Sequence, residues 1–269
     1  MSDRFAFIGA GALAGAVTEC LAVYYGSGSK KEFILYDPDK SKYDNYAGKN
    51  YSVSDTINDA VAAGRYIVLA VKPQNLSAVL AEIKAGNCYD ESVFILPAAG
   101  VATVAVTDIL GDVPVIRIMP NMPLRIGYGV TAICRNAAVS DDDYKIVFDV
   151  FSACGYTFEL PEEGMNPVIA ATSSSPAYVY LFIKSIIDGS ASMGLDPRVM
   201  LEPACRAVIG SAYMLLRSGK TPEELISMVA TPGGTTESAL SVLTSNGFVE
   251  TVGEAMRSCT KRANELSVI

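Results

Sequence analysis

The sequence predicts an α/β protein in which a doubly wound sheet is followed by a domain made only of helices. Short apolar runs alternate with helical patterns over residues 1–161, as in strand–helix–strand units. Beyond this point only helical patterns follow. The turn-rich stretch PEEGMNP, 161–167, separates the two parts, so we expect domains at 1–161 and 162–269.

The elements of the first domain can be placed in order. The expected strands lie at 4–9, 32–37, 66–71, 92–97, 113–119 and 156–160. The expected helices lie at 12–25, from Ser54 to about residue 63, at 76–84 and at 140–155. Ser54 and Ser140 are candidate N-caps. The run YIVLAV, 66–71, is apolar throughout, which is typical of a strand buried on both faces of a parallel sheet.

The second domain is predicted to be entirely helical. The expected helices lie at 176–193 and 197–217, after the capping box TPEE at 221–224, after Thr236, and at about 249–266. The first of them is apolar on most faces and must therefore be buried. A helical domain of this size has too little interior for several such helices. We therefore expect a second copy of the chain to cover them.

Composition excludes several classes of function. The net charge is −8 and the basic residues are not clustered, which argues against binding to nucleic acid or to an anionic membrane. The chain has no histidine, so Ser-His-Asp and Cys-His catalysis and an imidazole acid are excluded. Its six cysteines form no CxxC motif, and we expect no metal site. No signal-like segment or uninterrupted apolar span occurs, which favours a cytoplasmic protein.

A glycine loop follows the first predicted strand. Gly9, Gly11 and Ala14 form a GxGxxA pattern between this strand and a helix, as in Rossmann-like dinucleotide sites. Gly9 permits a tight turn, Gly11 lets a pyrophosphate approach the backbone, and Ala14 keeps helix and strand close. The alternative is a tight turn without a ligand. The residues expected to hold the cofactor in this loop are Gly9, Ala10, Gly11, Ala12 and Leu13.

Asp37 ends the second predicted strand, where a carboxylate can accept hydrogen bonds from the adenosine ribose and favour NADH. Lys40 and Lys42 follow closely and could attract the 2′-phosphate of NADPH instead. Asp37 could also simply start a turn before Pro38. Both NADPH and NADH therefore stay open as cofactors.

The segment TPGGTT, 231–236, interrupts a helical region. One interpretation is that Thr235 or Thr236 caps a helix beginning near Glu237. The other is that the bare amides at the helix start bind an anion. Two glycines followed by two threonines exceed what a cap requires, which favours the anion site.

Five segments in one order and spacing carry a family resemblance. They are AVKPQ (70–74), AAGV (98–101), MPNMP (119–123), SPAYVYLFI (175–183) and TPGGTTESAL (231–240). Together they resemble the pyrroline-5-carboxylate reductases along the whole chain. The resemblance implies reduction of 1-pyrroline-5-carboxylate to L-proline, the last step of proline biosynthesis, with NADPH or NADH bound to the Rossmann-like domain. It also implies a helical dimerisation domain that interlocks with a second subunit, an active site at that junction, and a homodimer or a ring of dimers.

The resemblance also implies roles for individual residues. The substrate carboxylate would be bound by Thr231, Gly233, Gly234, Thr235 and Thr236. Thr236 would also be the catalytic hydrogen-bond partner of the imine nitrogen. The cofactor would be lined further by Ala70, Val71, Lys72, Pro73, Ala98, Ala99, Gly100 and Asn121. Simpler alternatives exist: Lys72 as a solvent-exposed lysine, Asn121 as part of a rigid turn, and 98–100 as a strand-to-helix turn.

Departures from the family pattern leave two other functions open. The cofactor loop reads GAGALA where the family has GxGNMG, Met122 replaces a threonine, and Thr172, Ser173 and Ser175 alter the family's SGSGPAY. The chain could therefore reduce a different cyclic imino acid, or be a non-catalytic nucleotide-binding relative. The β-hydroxyacid dehydrogenases have a similar plan, but Lys184, the only lysine in the first long helix of the second domain, lacks their surrounding motif.

Overall fold

In a computed structural model of the chain, residues 3–26 and 33–266 are described. They form two compact units. One comprises the chain up to Ser174 together with the residues from Cys259 onward, and the other is Ser175–Ser258. This division falls later than the predicted boundary after residue 161, because 162–174 and the end of the last helix pack with the sheet. The domains 1–161 and 162–269 stay a prediction about folding units.

The first unit is built on an eight-stranded sheet in the order β3-β2-β1-β4-β5-β6-β7-β8. The strands are β1 Phe5–Ile8, β2 Phe33–Tyr36, β3 Tyr51–Val53, β4 Tyr66–Leu69, β5 Val93–Leu96, β6 Val115–Pro120, β7 Gly129–Arg135 and β8 Gly155–Glu159. The pairing of β6 with β7 is antiparallel and every other neighbouring pair is parallel. Since β1 pairs with β2 on one side and β4 on the other, the strand order reverses between β1 and β4.

Helices cover both faces of this sheet. They are α1 Ala12–Tyr25, α2 Ile57–Ala63, α3 Pro73–Gly86, α4 Val104–Leu110 and α5 Asp141–Ser152. One core contains Phe7 of β1 with Val17 and Phe151 from α1 and α5. The opposite core contains Ile8 of β1 and Leu80 of α3, together with residues of α2 and α4. The prediction of a doubly wound sheet is confirmed.

Several local predictions need correction. The strands β3 and β7 were not predicted, because β3 has only three residues and the polar Thr131 interrupts the apolar pattern of β7. Helix α2 is capped by Thr56, whose hydroxyl accepts from the amide of Asp59, and not by Ser54. Helix α3 starts at Pro73, three residues before the predicted 76. The first residue of the predicted strand 32–37 lies outside the described residues.

The second unit is helical, as predicted. Its helices are α6 Ser175–Ser192, α7 Pro197–Ser218, α8 Pro222–Val229, α9 Thr235–Ser245 and α10 Phe248–Leu266, of which α10 ends in the first unit. Thr221 and Glu224 form the predicted capping box of α8, and Asp196 caps α7. By length and composition alone, α7 could cross a membrane. One such helix is weak evidence, since helices buried in protein pass the same test.

Candidate functional site

The predicted cofactor residues lie at the carboxyl ends of neighbouring parallel strands. They follow β1 (Gly9 to Leu13), β2 (Asp37), β4 (Ala70 to Pro73), β5 (Ala98 to Gly100) and β6 (Asn121). In open α/β sheets, ligands bind outside the carboxyl ends of the strands, where the strand order reverses. The fold therefore brings all of these residues to the edge where a dinucleotide is expected.

Gly9 makes the tight turn between β1 and α1. Its φ is +105°, which disfavours any residue with a side chain, and its amide donates to the carbonyl of Tyr36 at 2.7 Å. A Cβ at this position would lie 2.4 Å from the carbonyl oxygen of Ala70 at the end of β4. The close approach of the two strand ends therefore explains why glycine is required here, as the sequence predicts.

The start of α1 has the features of a phosphate cradle. Gly11 is the N-cap, and no side chain of the described residues caps this helix start. A Cβ added at Gly11 would meet no described atom within 4 Å. Ala14, one turn on, is completely buried and allows the helix to lie close to the sheet. Open space over uncapped helix amides fits a pyrophosphate, because these amides and the helix dipole favour anions.

The Asp37 carboxylate is buried at this edge and fully hydrogen-bonded. Its Oδ2 accepts from the amide of Ala10 at 2.9 Å, and its Oδ1 accepts from the amide of Asp39 at 2.9 Å. The ammonium of Lys42 donates to both oxygens, at 3.0 and 2.9 Å. Burial by itself raises the pKa of Asp37, but these amide and Lys42 hydrogen bonds outweigh it, and the pKa is lowered. Asp37 therefore stays ionised beside the glycine loop.

Residues 98–100 are fixed by the end of α10 and by a carboxylate. Gly100 has a φ of +79°, and a Cβ there would lie 2.4 Å from the carbonyl oxygen of Ala263. Glu162 accepts from the amide and the hydroxyl of Thr103, at 2.6 and 2.7 Å, just before α4. The glycine is thus required by the packing of α10, a reason that the sequence pattern did not indicate.

Sequence reasoning also missed a buried arginine. Arg117 of β6 is 2% exposed, donates to Asn166 at 2.5 Å and lies 3.7 Å from Glu162. Asn166 in turn donates to Asn264 of α10 at 2.9 Å. Burial lowers the pKa of Arg117. The signal was a lone charge inside the apolar strand VPVIRIM, and the cluster ties β6 to α10 next to the loop 98–100.

The remaining predicted cofactor residues have structural partners or exposed positions. Asn121 accepts from the amide of Val130 at 2.9 Å and donates to the carbonyl of Thr172 at 3.1 Å. It therefore fixes the turn after β6, as the simpler alternative proposed. Lys72 is exposed at the N-cap of α3, and Pro73 is the first residue of that helix. A direct role for these residues with a cofactor stays a prediction.

The segment 231–236 lies in the second unit and forms a turn before α9. The helix begins at Thr235 with Gly234 as N-cap, and no described side chain caps it. The alternative that Thr235 or Thr236 caps a helix near Glu237 is therefore wrong, since both threonines lie inside its first turn. Gly233 has a φ of +71°, and the amide of Gly234 closes the turn onto the carbonyl of Thr231 at 2.9 Å.

One amide of this turn already binds a carboxylate. The amide of Gly233 donates to Oε2 of Glu237 at 2.7 Å. Thr231, Gly233 and Thr235 are exposed in the chain, and Thr236 is half-buried. The turn therefore presents backbone amides and threonine hydroxyls together. Its conformation allows an amide to donate a hydrogen bond to a carboxylate oxygen. Among residues 3–26 and 33–266, no cluster of three or more Cys, Asp or Glu could hold a metal ion.

Comparisons with known proteins agree with this arrangement. Residues 162–266 match the family described as pyrroline-5-carboxylate reductase dimerisation. Residues 4–99 match the family described as NADP oxidoreductase, coenzyme F420-dependent. The first match covers the helices whose apolar faces are exposed in the single chain, and the second covers the glycine loop and Asp37. The chain is thus a nicotinamide-dependent oxidoreductase with an oligomerisation domain.

Whole proteins are similar over nearly the full length. The pyrroline-5-carboxylate reductases of Synechocystis and Escherichia coli are 34% and 32% identical, and each match covers 99% of both chains. The crystal structure of the Plasmodium falciparum pyrroline carboxylate reductase with NADP bound has a TM-score of 0.89 at 26% identity, covering 99% of this chain and 98% of that one. The Streptococcus pyogenes enzyme gives 0.88 at 28% identity, covering 97% and 98%. The chain therefore belongs to the pyrroline-5-carboxylate reductase family.

Proposed function

We propose that the chain reduces 1-pyrroline-5-carboxylate to L-proline, with the turn 231–236 as the site for the substrate carboxylate. The observation that carries the placement of the substrate carboxylate at this turn is the hydrogen bond from the amide of Gly233 to the carboxylate of Glu237. A group of the same chemistry as the substrate's carboxylate already binds there. The family membership supplies the reaction, and the turn supplies the donors.

The substrate carboxylate would take the place of Glu237 on the Gly233 amide. The amides of Thr235 and Thr236 lie at the same helix start, where the helix dipole favours negative charge, whereas the amide of Gly234 is used to close the turn on Thr231. The hydroxyl of Thr231 would add one more donor. A turn of this kind orients the substrate ring at little cost in conformational entropy, because Gly233 already has its positive φ before the substrate binds.

Thr236 would hold the imine nitrogen. A cyclic imine can arrive from water in its protonated form, so the nitrogen already carries the proton that the product amine retains. The iminium N–H then donates to the Thr236 hydroxyl, which fixes the face of the ring. A histidine-free chain can do this, since the step needs no strong general acid and positioning supplies much of the rate.

The cofactor would bind at the edge of the sheet. The amides at the start of α1 would hold the pyrophosphate, Asp37 with Lys42 would face the adenosine ribose, and residues 98–100 would lie near the nicotinamide. NADPH or NADH, when bound, supplies the hydride. The protein's own part is to bind, orient and exclude water from the reacting carbon.

The test is oxidation of NADPH or NADH by the purified protein with pyrroline-5-carboxylate at near-neutral pH. Wild-type protein should turn over, and Thr236→Ala should lower kcat by about a hundredfold with an unchanged circular dichroism spectrum. Thr244→Ala, which removes a hydroxyl later in α9, is the matched control and should keep its activity. Equal activity of Thr236→Ala and wild type would remove Thr236 from the mechanism.

A second candidate substrate is a different cyclic imino acid. Ser173, at a position where the resembled family has glycine, has a buried hydroxyl oxygen without a hydrogen-bond partner among the described residues. It lies in a π-helical turn, Ile169–Ser173, a feature frequent at functional sites. Comparing kcat/KM for five- and six-membered imino acids with the carboxylate at either carbon would decide between them. A six-membered ring preferred tenfold would overturn the proline assignment.

The assembly is proposed to be a homodimer at least. Large apolar side chains of the second unit are exposed in the single chain, among them Leu181 of α6 and Leu216 of α7. A second copy would cover such surfaces. Light scattering would give the mass in solution and tell a dimer from a ring of dimers. A cytoplasmic location stays a prediction.

A further inference from the structure

Asp37 has no free acceptor position for a ribose. An ionised carboxylate offers about four lone-pair positions. In this protein two are taken by the amides of Ala10 and Asp39, and two by the ammonium of Lys42. The carboxylate side chain is 4% exposed, so water does not compete for it. A ribose hydroxyl can therefore reach Asp37 only where Lys42 now donates.

The two amide bonds are part of the fold, whereas the Lys42 bonds are replaceable. Ala10 belongs to the glycine loop and Asp39 to the turn after β2, so losing either bond would deform the backbone beside β1 or β2. Lys42 lies on the 3₁₀-helix Lys40–Tyr46, with 39% of its side chain exposed. Its ammonium can move on a flexible stem while the carboxylate stays in place.

Without Lys42, the charge of Asp37 would oppose a phosphate at this position. Asp37 alone would repel a 2′-phosphate, which carries about −1.5 to −2 charge at pH 7. The nearby carboxylate of Asp39 is bonded by the amide and hydroxyl of Ser41, at 3.2 and 2.7 Å. The other neighbour, the hydroxyl of Tyr43, is hydrogen-bonded to the main chain of Asp37. Lys42 is therefore the cation that cancels the Asp37 charge.

We propose that Lys42 is the specificity residue of the cofactor site: it neutralises Asp37 and binds the 2′-phosphate, so that the protein accepts NADPH at a position where a bare aspartate would select NADH. When NADH binds, the ribose hydroxyls displace Lys42 from Asp37. This inference rests on the proposed cofactor site at the glycine loop. It singles out Lys42 from the two lysines that the sequence places near the ribose, because Lys42 bonds to both oxygens of Asp37.

The test uses nucleotides that lack the reactive ring, so that binding is measured apart from turnover. Adenosine 2′,5′-bisphosphate carries the 2′-phosphate, and ADP lacks it. Isothermal titration calorimetry at fixed ionic strength would give the Kd of each for wild type, Lys42→Met, Lys42→Arg and Lys84→Met. Methionine keeps the length of lysine and removes its charge. Lys84 is exposed in the last turn of α3, away from the glycine loop, so Lys84→Met is the control for the same change in net charge.

The expected result is a selective loss of affinity for the nucleotide that carries the 2′-phosphate. Lys42→Met should weaken adenosine 2′,5′-bisphosphate at least tenfold, and ADP should bind equally or more tightly because Asp37 becomes free. Lys42→Arg should stay close to wild type, which shows that charge and not a folding defect is responsible. Lys84→Met should change both Kd values by less than about threefold, because exposed charges are screened by salt. The ratio of kcat/KM for NADPH and NADH should follow the same order.

Two failures would be distinguishable. If Lys42→Met weakened both nucleotides equally, or neither, the specificity role would be overturned while the cofactor site stood. If wild-type protein bound neither nucleotide and oxidised neither NADPH nor NADH, the cofactor site itself would be wrong, and the role of Lys42 with it.

Discussion

The strands of the first unit and the helices of the second differ in how far their own chain covers them. Every residue of β1, β4 and β5 is buried. Among the described side chains, α6 and α7 each have one buried residue, and α8 and α9 have none. Both regions are rich in apolar residues, so hydrophobicity alone does not tell which surface a chain covers by itself. The sheet is completed within one chain, whereas the helices leave apolar surface exposed and match a dimerisation family.

The ion pairs of the two regions also differ in how far they are buried. The ion pairs of the first unit include Arg65 with Asp143 and Arg117 with Glu162, and Asp143 and Arg117 are nearly inaccessible to solvent. In the second unit, pairs such as Arg206 with Glu202 are exposed on both sides. Exposed pairs contribute little, whereas breaking a buried pair leaves an uncompensated charge. Substitutions in the exposed apolar helices and in the buried ion pairs can therefore test this comparison.

The largest effect is expected from a charge on the exposed apolar surface of the helices. Leu181 of α6 is 66% exposed in the single chain, so Leu181→Asp would change stability by less than about 0.5 kcal/mol if the surface faced water. We expect instead a loss of the oligomer and of nearly all activity, measured by light scattering and cofactor oxidation.

Val104→Asp in α4 is the matched control for this experiment. Val104 is 54% exposed on the sheet unit, and the same change there should leave both mass and activity intact. An oligomer that survives Leu181→Asp would contradict the assignment of α6 to the interface.

A smaller effect is expected from removing the partner of the buried arginine. Glu162→Ala leaves Arg117 without its counter-ion and removes two hydrogen bonds to Thr103. We expect a loss of about 3 kcal/mol in the free energy of unfolding, measured in urea. Glu163→Ala, at the adjacent exposed residue, should cost less than about 0.5 kcal/mol. Equal stability of the two variants would mean that Glu162 does not neutralise Arg117.

Acid should weaken the sheet unit through Asp143. Burial raises the pKa of this carboxyl, but hydrogen bonds from Ser140, Arg65 and Tyr66 outweigh it and lower the pKa below its ordinary value of 3.8. A lowered pKa stabilises the fold above 3.8 and ceases to do so as the pH falls through the folded value. Asp143→Asn should therefore cost about 2 kcal/mol at pH 7 and flatten the loss of stability below pH 4.

The neighbouring carboxyl serves as the control for the acid experiment. Asp142 is exposed one residue before, and Asp142→Asn should leave the pH dependence of urea unfolding as in the wild type. Identical acid limbs for Asp143→Asn and wild type would show that other carboxyls cause the acid sensitivity.

The smallest effect is expected at the substrate turn of the helical unit. Glu237 occupies the amide of Gly233, so it competes with the substrate carboxylate. Glu237→Gln should lower the KM for pyrroline-5-carboxylate by about threefold, since the neutral amide binds this donor less strongly. Exposed Glu250→Gln is the control. A higher KM in Glu237→Gln would indicate that Glu237 orders the turn instead of competing for it.

The sequence by itself determined six of the eight described strands and four of the five described helices of the sheet unit, the glycine loop, the helical second part and the family. These depend on local signals: apolar runs, caps such as Thr221 with Glu224, and the need for glycine at positive φ, as at Gly9. The short β3 was missed because it has only three residues, and β7, which lies between β6 and β8, was missed because the polar Thr131 interrupts its apolar pattern.

Only the tertiary structure decided how distant polar groups meet. Lys42 on Asp37, Glu162 beside Arg117, and Gly100 against Ala263 join segments whose pairing no local pattern encodes. The alternative interpretation, in which Thr235 or Thr236 caps the helix, was wrong for a related reason: the turn at Gly233 let the helix begin earlier. Hydrophobic periodicity is a property of each segment, whereas hydrogen-bond partners and close backbone contacts are properties of the folded arrangement, and the chemistry of this site depends on the latter.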